Sequence, residues 1–311
     1  MNISLKKIIS HLKSLNITFE TIGDDVIVQK MLAFTPSIEN ALCYIADFVP
    51  SDVSNIKNSI IICEPDTGII FPESNSLIIT KNPQLCFYLI SSLFEHKQDP
   101  IIDPQATIKA DVNLGMNVAI GPYCVLEECT IGNNVIIEAG VKIKGGTLIG
   151  NNVIIQSNTV IGAVGVMWVW HEQGKKVRCV QTGNVIIRDD VFLGSNITIV
   201  RGAFENKPTI IGPDTMIAHG TMIGHGVVIG KSNHFANNVS IAGSVETGVN
   251  CFFGSGAIVR PHIKISNNTV VGAGAVVVKN HFEEGIVLVG NPAKKMNRNK
   301  NTMSGIPHAF T

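Results

Sequence analysis

Two histidines, His219 and His225, lie six positions apart in "MIAHGTMIGHGVVIG" (216–230), with His234 and His262 further along. A neutral imidazole accepts a proton near pH 7, and three together suit a metal ion. Six is neither the helical period of 3.6 nor the two-residue alternation of a strand, so the spacing belongs to some other repeating element that must hold these rings.

That element is written in the residues around them. Stepping by six from Ile211 meets Ile217, Ile223, Ile229, Phe235, Ile241, Thr247, Phe253, Val259, Ile265, Val271 and Val277, and only Thr247 is polar. Four residues after most of these sits a small or β-branched residue, among them Thr215, Thr221, Val227, Val239, Val245, Cys251, Ala257, Thr269 and Ala275. The ladder also runs Ile131, Ile137, Ile143, Ile149, Ile155, Ile161, and Ile187, Leu193, Ile199. An earlier stretch, Ile108, Leu114, Ile120, Leu126, is one residue out of frame. Hexapeptides of this kind predict a parallel β-helix, with three hexapeptides and about 18 residues per triangular coil. Coils stacked at the strand spacing of about 4.8 Å give about 9 coils and a prism roughly 40–45 Å tall. The large residue points inward, the small one fits near a corner, and the rest face out. His219 and His225 then sit outward near successive corners, not one above the other. Gly243 lies one coil above His225.

Two stretches interrupt the ladder, 162–184 and 201–209. The first carries Trp168, Trp170, Lys175, Lys176 and Arg178. In a repeat scaffold such insertions become surface loops, often on the binding side.

The chain has 311 residues, a formal net charge of zero, few aromatics and 29 glycines. A balanced charge argues against a nucleic-acid partner. No apolar run approaches the length of about 20 residues that a membrane span needs. Seven cysteines with no CxxC pair predict reduced thiols, no zinc site and a cytoplasmic location. Residues 1–101 read as a separate small α/β domain. Leu5, Ile8, Ile9, Leu12 and Leu15 mark an amphipathic helix. "SIIIC" (59–63) and "SLIIT" (76–80) read as strands, and Asn82 and Pro83 open a second helix ending near Lys97. The β-helix is expected over 102–281 and a tail over 282–311. The fold class is therefore mostly β, a parallel β-helix behind an α/β N-terminal domain.

The ladder resembles the left-handed β-helix acyltransferase superfamily, and its left hand is implied by that resemblance alone, since parallel crossovers are otherwise right-handed. Within it the chain is similar to the UDP-3-O-acylglucosamine N-acyltransferase family of lipid A synthesis. "SLIITKNPQLCFYL", the 160–212 segment, "MIGHGVVIG" and "GSGAIVRPHIKIS" all fall on motifs of that family. The resemblance implies a homotrimer with an acyl pantetheine cleft between prisms. It implies His225 as the base, the Gly243 N–H as oxyanion donor and His262 as a second histidine near the reacting groups. It also implies a uracil stacked on aromatics of the N-terminal domain, where Tyr44 and Phe48 are the candidates. Trp168 and Trp170 would cover an acyl chain or a base, and His219 would line the substrate site. The ending "GNPAKKM" instead resembles acetyl-CoA-dependent hexapeptide enzymes, with Gly290, Asn291, Lys294 and Lys295 on the donor. The chain departs from the family at Gly226, Val200 and 165–167, and lacks its long C-terminal helix.

The leading expectation is transfer of a small acyl group from acyl-CoA, or from acyl carrier protein, to the amine of a nucleotide-linked amino sugar, with no bound cofactor. The alternatives are the lipid A enzyme itself with a long 3-hydroxyacyl chain, O-acylation by the same base, and a non-catalytic scaffold or sugar-binding module. A carbonic anhydrase using His219, His225 and His234 is a further one.

Overall fold

The computed structural model describes residues 2–45, 52–65, 67–95 and 99–296. The chain divides into two compact units, 1–97 and 98–311.

In the first unit, five strands are ordered Glu20–Ile22, Ser76–Ile79, Ile60–Cys63, Ala41–Tyr44 and Lys30–Met31. The first pair is antiparallel and the others parallel. Both faces of the sheet are covered, which explains the unbroken apolar run "IIIC". Leu42, Ile60, Ile62 and Ile78 pack under helices α1 (Leu5–Ser14) and α2 (Pro83–Ser91), while Ala41, Cys43, Ile61 and Cys63 fill the opposite side. Ser4 caps α1 by accepting from Lys7 N–H, and Asn82 caps α2 by accepting from Leu85 N–H at 3.0 Å. The second helix stops at Ser91 and tightens into a 3-10 turn over Ser92–Phe94, short of the expected end near Lys97, which lies outside the described residues.

The second unit is a mostly β, parallel β-helix. Among the described residues its strands form three faces of nine, eight and ten strands, visited in that order up to Val276–Val277, after which the last two strands both join the ten-stranded face. Strands stack in register, as where Met216–Ile217 lies under His234–Phe235, which lies under Phe252–Phe253, and the register shifts between Val160–Ala163 and Thr198–Val200, beside the longer insertion. From Ile120 onward the stepped Ile, Val, Leu and Phe residues are buried in one continuous core, whereas on the first coil Ile108 is half-buried and Leu114 exposed. Phe235 and Phe253 stack inside it, ring centroids 4.4 Å apart and planes within 2°. Phe253→Ala removes one half of this stack from a site with no solvent path. It is expected to cost about 3–5 kcal/mol of unfolding free energy, read as a lowered urea midpoint with an unchanged slope.

Each turn needs a corner residue in the left-handed region, and the sequence supplies Asn there more than any other non-glycine type. Between the eight- and ten-stranded faces these corners also bond to one another. Asn117 donates to Asn134, Asn134 to Asn152 and Asn250 to Asn268 through side-chain amides at 2.8–3.1 Å.

The prism does not stop at 281. Val287–Val289 adds a further strand to the ten-stranded face, and Leu288 and Ala293 close the end of the core. The tail is thus partly structural, because the last inward rung would otherwise meet solvent. All seven cysteines are unpaired and all but Cys179 are buried. Burial pushes the Cys129 and Cys251 thiols up to about 11. Among the described residues no helix is long and apolar enough to cross a membrane.

Candidate active site

Both insertions leave the prism at the same edge, the corner between the nine- and eight-stranded faces. One lies between Val160–Ala163 and Val185–Ile187, the other between Thr198–Val200 and Thr209–Ile211. On the next turn this corner holds His225 and Gly226, then Gly243 and Ser244, then His262. The repeat therefore stacks His225, Gly243 and His262 along one edge, directly beside the loops. The turns are tied by Ser244 N–H donating to His225 C=O at 2.8 Å and His262 N–H donating to Gly243 C=O at 3.1 Å.

The His225 ring lies against Gly243. A Cβ on Gly243 would sit 2.5 Å from His225 Nε2 and under 3 Å from two ring carbons. What demands glycine at 243 is thus the imidazole beside it, since this residue is not one of the positive-φ positions. Gly224 plays a related part from below, because a Cβ there would meet Gly243 N at 2.6 Å. Among the described residues Gly243 N–H donates to no group of the chain. A half-buried imidazole and an unsatisfied backbone donor are thus side by side, the two groups that acyl transfer needs for its proton and its oxyanion.

Burial, and secondly the charge of His262, hold the His225 pKa below its ordinary value of 6.5. The ring is neutral and able to accept a proton at pH 7. If His225 is the base, kcat/KM falls on the acid side with a midpoint below that ordinary value. His262→Asn removes the positive neighbour and is expected to move the midpoint up, which a pH–rate profile of both proteins reads directly.

A groove of about 630 Å³ opens on this edge. Its floor is the outward column of the eight-stranded face, Ile210, Val228, Glu246 and Lys264 in successive strands. The 201–208 loop walls one end with Ala203, Phe204, Asn206, Lys207 and Pro208. Met167 joins it from the base of the longer insertion, and His225, Ser244 and His262 form the rim. The loop is pinned from inside. Thr209 Oγ1 donates to Val200 C=O at 2.7 Å and accepts from Gly226 N–H at 2.9 Å. Gln181 and Arg201 pin the longer insertion, the first accepting from Gly165 N–H and the second donating to Gly183 C=O.

Other expected site residues lie elsewhere. His219 is on the next corner, between the ten- and nine-stranded faces, where its Nδ1 accepts from Ser195 N–H at 2.9 Å. The hexapeptide offset of six turns the chain by one corner, so the structure does not bring it to His225. His234 stacks on Phe252, centroids 5.1 Å apart. Among the described residues no three His, Cys, Asp or Glu side chains gather as a metal site. Trp168 and Trp170 stand on an exposed hairpin, Trp168–Trp170 paired with Lys176–Arg178. Their rings meet edge to face, with Lys176 Nζ 4.5 Å above Trp168. Neither tryptophan lines the groove; Met167 does.

Tyr44 packs against Phe87 of α2, ring centroids 4.9 Å apart, alongside the domain core. The residue is half-buried at the end of its strand. Phe48 lies outside the described residues. Gly290 and Asn291 form the last corner, on the ten-stranded side of the prism, and Lys294 is exposed. Lys295 is ion-paired with Glu283. These four stand off the groove because the tail closes a different corner.

Glu246 and Lys264 on the groove floor, and Phe204 and Met167 on its wall, were not singled out by their types. The signal for the floor was the 18-residue recurrence of outward positions at 210, 228, 246 and 264.

The model of the bacterial transferase hexapeptide, six repeats, matches residues 128–163. A protein named UDP-3-O-acylglucosamine N-acyltransferase from Coxiella burnetii is 33% identical over 237 residues, covering 70% of this chain and 68% of that protein. The chain belongs to the UDP-3-O-acylglucosamine N-acyltransferase family. Another member of the family, from Polynucleobacter asymbioticus, is 34% identical over 160 residues, and this chain spans 44% of its length. In the Acinetobacter baylyi member the share is 43%. The chain thus spans less than half the length of these two relatives. The solved structure of a UDP-N-acetylglucosamine O-acyltransferase from Moraxella catarrhalis superposes with a TM-score of 0.57 at 26% identity, over 64% of this chain and 75% of that one.

Proposed function

We propose that the protein N-acylates a UDP-linked 3-O-acylglucosamine, the acceptor in its family's name, drawing the acyl group from a thioester donor. The observation that carries this is the contact of His225 with Gly243 at the mouth of a groove that is apolar at one end. In this reading the acceptor amine attacks the thioester carbonyl, forming the C–N bond. His225 takes the amine proton, and the Gly243 N–H bonds the carbonyl oxygen as it gains charge. Collapse breaks the C–S bond, and His225 returns the proton to the departing sulfur. The chain supplies every group these steps require.

The groove favours a hydrocarbon acyl chain over the small acyl group expected from the tail. Met167, Phe204, Ile210 and Val228 offer an apolar bed beside His225. The tail residues that suggested acetyl-CoA lie at another corner, with Lys295 engaged by Glu283. Assembly into trimers, with the groove edge against a neighbouring prism, and a cytoplasmic location belong to the same proposal. The test is the mass of the product after incubation of UDP-3-O-acylglucosamine with a 3-hydroxyacyl acyl carrier protein or with acetyl-CoA. A gain of one 3-hydroxyacyl group on nitrogen is expected. Acetyl transfer alone, or no transfer, contradicts it.

A further inference from the structure

One buried polar side chain lies where the two insertions meet the prism. Gln181, at the returning end of the longer insertion, is 4% exposed. Its Oε1 accepts from Gly165 N–H at 2.5 Å, at the outgoing end of the same insertion. That donor fixes the orientation of the amide, since only the oxygen accepts. Gln181 Nε2 is buried on the other side and, among the described residues, has no hydrogen-bond partner. A Cβ on Gly165 would stand 2.8 Å from Val200 Cγ1 and 3.0 Å from Gln181 Nε2. Gly165, Val200 and the amide are thus packed together, and the valine side chain offers no acceptor. A buried donor without a partner is costly, so packing alone gives no reason for a glutamine at 181.

The residues after Gln181 are laced to the second insertion. Thr182 N–H donates to Ala203 C=O at 3.2 Å, and Gly202 N–H donates to Asn184 C=O at 3.0 Å. Arg201 clamps the same stretch, with Nε on Gly183 C=O at 2.6 Å and Nη2 on Thr182 C=O at 3.2 Å. On the other side of the amide, Met167 follows Gly165 by two residues. Met167, Ala203 and Phe204 are all groove wall.

We infer that Gln181 is a positioning residue that sets both walls of the groove together, Met167 through Gly165, and Ala203 and Phe204 through Thr182. Only in taking the groove as the substrate site does this rest on the acyltransferase reading above. The seat is held by one end of the amide and left open at the other, so an acceptor at position 200 tightens it.

Two variants test this from opposite directions. Gln181→Met keeps the length of the side chain and removes the acceptor for Gly165 N–H. Val200→Thr keeps the branched shape and adds an acceptor for Nε2. Trp168 and Trp170 are the only tryptophans of the chain and both belong to the longer insertion, so tryptophan anisotropy reads that insertion without turnover. Gln181→Met is expected to speed hydrogen exchange of the Gly165, Thr182 and Gly202 amides together, by about ten-fold, and to lower the anisotropy. Val200→Thr slows the same exchange by a similar factor, and does so even if Gln181→Met fails to fold. In the double variant the threonine gains nothing, because it acts through the amide. With turnover, Gln181→Met raises the KM of at least one substrate about ten-fold and leaves kcat nearly unchanged, since His225 and Gly243 stand on the coils and not on the insertions. Unaltered exchange in both single variants, a threonine effect that persists without Gln181, or loosened insertions with an unchanged KM overturns the inference. A natural protein without turnover sinks the catalytic reading instead, and exchange and anisotropy still decide whether Gln181 holds both walls.

Discussion

His225→Ala is expected to lower kcat by about 10²-fold or more, the usual share of a positioned general base. Acceptor KM should change far less, because a general base acts in the transition state. The substitution empties a half-buried rim position and touches none of the inward ladder, so Tm stays close to that of the natural protein. Steady-state kinetics of both proteins with the same donor decide it. The residual activity should also lose the acid-side pH dependence attributed above to His225, whose pKa burial and His262 hold low. A variant with near-normal kcat would mean that the proton leaves by another route.

Gly243→Ala should be as damaging, and for a different reason. The added methyl would stand 2.5 Å from His225 Nε2, a distance no Cβ tolerates. The ring must swing away, or the 243 peptide must shift and carry its N–H with it. Either movement separates base from oxyanion donor. Losing one oxyanion donor costs about 10²–10³-fold in rate, and misplacing a group by about 1 Å costs about 10²-fold. The expected outcome is a kcat reduced by about 10²-fold or more, with backbone and Tm little changed. Gly243 is not held in the left-handed region, so alanine there meets no conformational penalty of its own. Wild-type kcat in this variant would show that the His225–Gly243 contact is incidental.

The sequence carried the prism almost whole. A large apolar residue every six positions has one economical solution, inward rungs of stacked strands, and Ile217, Phe235 and Phe253 are where that solution puts them. The place of Gly243 above His225 followed from the same count, since coils of 18 residues stack positions by addition, whereas that count sets His262 above Ser244 and its part in the site came from resemblance. The hand of the helix rested on resemblance, because spacing does not distinguish mirror coils. Less was legible wherever a residue's meaning depends on which insertion faces it. Ile210, Val228, Glu246 and Lys264 read as ordinary outward residues until the loop at 201–208 turns their column into a groove. The contact of Tyr44 with Phe87 was equally hidden, because nothing in the strand's own residues reveals that the second helix lies against it. The tail read as a donor-binding appendage because Leu288 and Ala293 come after a break in the six-residue count, yet they still close the core.

The most direct test is a crystal structure of His225→Ala with UDP-3-O-acylglucosamine bound. The account predicts the amine at the emptied position beside Gly243, where the missing imidazole would reach it at about 2.6–3.2 Å. An acceptor seated on another corner, or an amine remote from position 225, would contradict it.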